Sequence, residues 1–93
     1  MVTQVELSRQ AEKGLERVPR YIKIKLLSWV EAVESDGLEK VRKIPGYHDE
    51  PLKGSRIWQR SIRLSLNYRA IYEIRSEGPP RIIEIQEVTK HDY

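Results

Sequence analysis

Apolar residues recur at helical spacing through the first third of the chain and at every second position in the strands after Gly54. Ala11, Leu15 and Val18 fall at i, i+4 and i+7, on one face of a helix, and Ser8 stands where a hydroxyl can accept an early backbone N–H. Pro19 closes that helix and suits the first turn of the next. The spacing predicts a second helix over Val18 to Asp36. Its apolar stripe is Ile22, Leu26, Trp29, Val30 and Val33, flanked by Lys23, Lys25, Glu31 and Glu34. Gly37 can then take the left-handed conformation at which helices commonly end. Ahead of both helices, Val2 to Leu7 alternates enough for a short strand.

Residues 38 to 54 read as irregular, interrupted by Pro45-Gly46, Pro51 and Gly54. Strand periodicity follows. Over Ile57 to Leu64, the residues Arg60, Ile62 and Leu64 oppose Gln59, Ser61 and Arg63. Over Tyr68 to Ile74, the residues Tyr68, Ala70, Tyr72 and Ile74 oppose Arg69 and Ile71. Ser65-Leu66-Asn67 is short enough to join these strands as a hairpin. Glu77-Gly78-Pro79-Pro80 is a turn, and Arg81 to Val88 is the last strand. The predicted order is β-α-α-β-β-β, an α+β fold in which two N-terminal helices pack on one face of a small, mostly antiparallel sheet. The other face is left for solvent or a partner.

Composition narrows the classes. The 93 residues suffice for one core, so residues 1–93 are expected to form a single domain. With no phenylalanine, the two tryptophans, five tyrosines and the aliphatic residues must fill that core. The absence of cysteine excludes a disulfide frame and a thiolate zinc site, and fits a reducing cytosol. No apolar run has the length of a membrane span, and the N-terminus has no signal-like core. A net charge of +3 suits a polyanionic partner and equally describes many ordinary soluble proteins.

If residues 65–67 form the hairpin loop, Arg63 and Arg69 become cross-strand neighbours on one face. Like charges side by side repel, and two guanidinium forks tolerate this best around an anion such as a phosphate. The alternative is pairing with Glu73, Glu84 or Glu87. Glu50 precedes Pro51, which restricts its backbone; Tyr47 and His48 share its loop, and His91 lies near the C-terminal end. Each of these is also an ordinary surface residue type. No His-x-x-x-His or Asp-x-Asp metal pattern, phosphate-binding glycine loop or Gly-x-Ser-x-Gly elbow is present.

Several features together resemble the RelE/ParE superfamily of bacterial toxins, and within it the RelE/StbE-type mRNA interferases of the YoeB kind. They are the element order, the stretch EPLKG from Glu50, the run RLSLNYRAIY from Arg63, and a last strand running into Lys90-His91-Asp92-Tyr93. The resemblance covers essentially the whole chain and is densest from Glu50 to Tyr72. It implies a type II toxin that cleaves mRNA in the ribosomal A site without a metal or other cofactor. It also implies a cognate antitoxin chain lying over the toxin's apolar grooves. By the same resemblance Glu50 is the general base, Arg69 the transition-state cation, Arg63 a second cation, His91 the general acid and Tyr93 the C-terminal tyrosine of the site. Lys53, Arg56, Arg60 and Lys90 are expected as further RNA contacts. Asp92 separates His91 from Tyr93, where the family pattern has them adjacent, and Arg60 and Arg63 replace closely spaced lysines.

That set suits RNA cleavage, which needs a base for the 2′-hydroxyl proton, cations for the phosphorane charge and an acid for the departing 5′-oxygen. Two rivals remain from the sequence. One is a ParE-like toxin acting on DNA gyrase, which would not need Glu50 and His91. The other is a non-catalytic RNA-binding sheet using Arg63, Arg69 and tyrosines.

Overall fold

The structure, a computed structural model, describes residues 2–90. A first strand, β1 (Thr3–Leu7), leads into helices α1 (Arg9–Glu16), α2 (Arg20–Asp36) and α3 (Leu38–Arg42). Strands β2 (Glu50–Pro51), β3 (Gln59–Arg63), β4 (Tyr68–Ser76) and β5 (Arg81–Lys90) follow. They form one sheet in the order β1-β5-β4-β3-β2, antiparallel except for β1, which runs parallel to β5. The fold is α+β, three helices on a mostly antiparallel sheet.

Local chemistry explains the helix starts and stops. The Ser8 hydroxyl accepts the Ala11 N–H at 3.0 Å and donates to the Gln86 carbonyl at 2.9 Å. One side chain thus caps α1 and ties it to β5. Gly14 lets α1 lie against that strand, since a Cβ there would stand 2.4 Å from the Val88 carbonyl oxygen. Gly37, at φ 91°, ends α2 in a conformation that suits glycine alone.

The stripe of α2 is buried as its spacing requires: Ile22, Leu26, Trp29 and Val33 are at most 2 % exposed, and Val30 is half-buried at the stripe's edge. They pack on Ile62, Leu64, Ala70, Tyr72, Ile83, Ile85 and Val88 of the sheet. The Trp29 and Tyr72 rings lie 5.1 Å apart at 46°, a tilted aromatic pair.

Three expectations change. The segment from residue 38 is not wholly irregular, because α3 buries Leu38 and Val41, two apolar positions three apart. Strand β3 starts at Gln59 rather than Ile57: Ile57 and Trp58, 65 % and 66 % exposed, belong to the turn after a 3-10 segment at Gly54–Arg56. Glu50–Pro51 adds a fifth strand at the sheet edge, where a proline can pair.

Candidate functional site

The hairpin register sets the site. Arg63 pairs with Arg69 and Ser61 with Ile71 across β3 and β4, while Glu50 pairs with Ser61 across β2 and β3. Paired residues share a face, so Glu50, Ser61, Arg63 and Arg69 all lie on the side away from the helices. With His48, Ser65, Leu66 and Tyr68 they line one depression of about 130 Å³.

The carboxylates that could have neutralised these arginines are engaged elsewhere. Glu87 accepts from Arg56 Nη2 at 2.5 Å, Glu73 from Arg75 at 2.7 Å, and Glu84 from Gln86 at 3.3 Å. Among the described residues Arg63 and Arg69 make no ion pair, and the Arg69 Nε–H is buried without a hydrogen-bond partner. An unpaired buried donor is costly, and two adjacent guanidinium groups repel. An anion placed between them relieves both costs.

Glu50 is held by its neighbour. Asp49 turns inward with its side chain 1 % exposed, and accepts from Arg60 Nε at 2.5 Å and from the Tyr72 hydroxyl at 2.6 Å. Adjacent residues point to opposite sides, so Glu50 faces the depression while Asp49 anchors the chain beneath it. Burial, and then the hydrogen bond to Asp49, push the Tyr72 phenol well above its usual pKa. His48 ends the 3-10 turn Pro45–Tyr47 in the left-handed region, at φ 44° and ψ 49°, unusual for a residue with a side chain. The turn is pinned by Tyr47, whose ring is buried with the Lys25 ammonium 4.9 Å from its centroid.

Of the residues expected from the sequence, the structure brings Glu50, Arg63 and Arg69 to this one depression. Arg60 belongs to the helix side, committed to Asp49, because its position on β3 alternates with Arg63. Arg56 is tied to Gln59 and Glu87. Lys53 is exposed beyond β2 and does not line the depression. Lys90 pairs in register with Tyr68 and so lies on the helix side of β5. His91 and Tyr93 lie outside the described residues. Asp49 is the residue that sequence reasoning missed; its only signal was an acid adjoining another acid, with no clue to which turns inward.

No protein-family model matches the chain, and no curated protein sequence does. Solved structures do. The chain is similar to the E. coli DinJ–YafQ toxin–antitoxin complex, with a TM-score of 0.75 and 18 % identity over 98 % of this chain and 94 % of that one. It is similar to a YoeB/ParE toxin from Agrobacterium tumefaciens, with a TM-score of 0.69 and 17 % identity over 96 % and 99 %. It is also similar to the archaeal RelE–RelB complex from Pyrococcus horikoshii, with a TM-score of 0.70 and 21 % identity over 97 % and 96 %. The fold is that of the RelE/ParE toxins. Within this RelE/ParE fold the depression occupies the sheet face that the helices leave uncovered.

Proposed function

We propose that this chain is the toxin of a type II toxin–antitoxin pair, a metal-independent endoribonuclease that cleaves mRNA in the ribosomal A site and stops translation. The observation that carries this reading is the arginine pair, without carboxylate partners among the described residues, sharing a depression with Glu50. The fold it shares with YafQ and RelE supports it, and the DinJ–YafQ toxin–antitoxin complex supports a cognate antitoxin as partner. Such a protein works in the cytoplasm, where mRNA and ribosomes are. Among the described residues no helix is long and apolar enough to cross a membrane.

In this mechanism the Glu50 carboxylate takes the proton of a ribose 2′-hydroxyl, and the 2′-oxygen attacks the adjacent phosphorus. The bond from phosphorus to the 5′-oxygen breaks, and His91 gives that oxygen a proton. Arg69 and Arg63 hold the non-bridging oxygens as their negative charge grows. Tyr93 orients a base by stacking. The products carry a 2′,3′-cyclic phosphate and a 5′-hydroxyl.

Single-turnover cleavage, with analysis of the product ends, tests this. His91→Ala should slow cleavage by about two to four orders of magnitude, the range for a positioned acid, and Tyr93→Ala should cost less. Wild-type rates for both variants would remove the tail from the site. A larger loss in His48→Ala than in His91→Ala would move the acid role to His48. Growth arrest that survives Glu50→Gln would favour a non-catalytic RNA-binding sheet.

A further inference from the structure

Helix α1 carries a second, polar face beside the site. Gln10, Lys13, Gly14 and Arg17 fall at i, i+3, i+4 and i+7 and share one side of the helix, while Glu12 and Glu16 lie on another. That side faces Tyr68 at the start of β4 and Val88, Thr89 and Lys90 at the end of β5, leaving a groove of about 460 Å³. Lys13, Arg17 and Lys90 are exposed and make no ion pair among the described residues. The carboxylate that lines the groove, Glu87, is already held by Arg56. Tyr68 lines both this groove and the depression that holds Glu50, Arg63 and Arg69.

We propose that the groove is a second RNA-binding subsite, which takes the sugar–phosphate backbone of the strand whose scissile phosphate lies between Arg63 and Arg69. This rests on the endoribonuclease reading and adds to it a course for the substrate. Three cations that make no ion pair among the described residues fit a run of phosphates. Tyr68, half-buried against the core at the shared wall, offers the exposed part of its ring to a base between the two sites. A groove open to solvent that shares the Tyr68 wall with the depression suits a flexible single strand. A duplex has no comparable way to follow the turn around Tyr68.

The test uses the full chain carrying Lys13→Gln and Arg17→Gln, with circular dichroism as a control on folding. Both side chains are exposed and glutamine favours helix, so the fold should persist. Binding is measured to a trinucleotide and a decanucleotide of RNA, 2′-O-methylated throughout to prevent cleavage. Each single-strand phosphate contact contributes about 0.7 to the slope of log affinity against log salt, so losing two should make the decanucleotide slope shallower by about 1.4. Between about 50 and 200 mM salt that is about a sevenfold smaller loss of affinity than the wild type shows. The trinucleotide slope should not change. Equal slopes for wild type and variant on the decanucleotide would overturn the groove, as would an equal drop on both oligonucleotides, which marks a general charge effect. A wild-type chain that binds neither RNA would overturn the endoribonuclease reading itself, and the groove with it.

Discussion

Replacing Asp49 by alanine should destabilise the fold and blunt the candidate site together. The Asp49 side chain is 1 % exposed and that of Arg60 25 %. Their pair therefore falls between a surface ion pair, worth about 0–1 kcal/mol, and a buried one, whose half-removal costs about 3–5 kcal/mol. The Tyr72 hydroxyl also loses its acceptor, at about 1.5–3 kcal/mol for a hydrogen bond to a charged group. These effects overlap, and about 3 kcal/mol is expected for the variant. At roughly 4–8 °C per kcal/mol for a domain of this size, Tm should fall by roughly 12–24 °C. Thermal denaturation of Asp49→Ala, Arg60→Met and the double variant measures it. The double variant should lose less than the sum of the singles, because a lone buried charge carries much of the cost. At temperatures where Asp49→Ala is folded, cleavage should drop by up to about a hundredfold through misplacement of Glu50. A stability loss under about 1 kcal/mol would mean the pair behaves as a surface contact, and the anchoring of Glu50 would fall.

Three further outcomes follow from the same contacts. Gly14→Ala gains up to about 1 kcal/mol in helix preference but forces α1 away from the Val88 carbonyl, at about 1–3 kcal/mol; urea denaturation should show a net loss, and a stabilised variant would contradict the close packing. The raised Tyr72 pKa means that its contribution to stability is complete below pH about 10 and declines as pH rises beyond that. Tyr72→Phe should therefore flatten the alkaline fall of Tm, and unchanged slopes above that pH would contradict a phenol held neutral by burial and by its bond to Asp49. Glu50→Gln should abolish growth arrest with stability within about 0.5 kcal/mol of wild type, since Glu50 is exposed; a folded variant that still arrests growth would remove the base.

Much of this fold was legible because its apolar periods are clean. In α2 the residues Ile22, Leu26, Trp29 and Val33 repeat at the spacing of a helix face, and all four are buried. The three-residue link after Leu64 set the register, and Arg63 does pair with Arg69. The elements that escaped were too short to show a period. Helix α3 offers only Leu38 and Val41, and β2 is two residues long with a proline in it. The candidate site was legible in Glu50, Arg63 and Arg69, which local alternation and register bring to one face. The role of Asp49 was not, because the burial of one of two adjacent acids depends on Arg60 and Tyr72, which come from later strands. For the same reason Arg60 read as a free cation until its partner was seen.

The central claim is that the face opposite the helices cleaves RNA, and Arg69 tests it most directly. Primer extension on a translated mRNA, incubated with the wild-type chain or with Arg69→Ala, reports both the cuts and their rate. The account predicts cuts with the wild type. It also predicts a loss of about two to three orders of magnitude in rate for a variant whose circular dichroism is unchanged. A folded Arg69→Ala that cuts at the wild-type rate would contradict it.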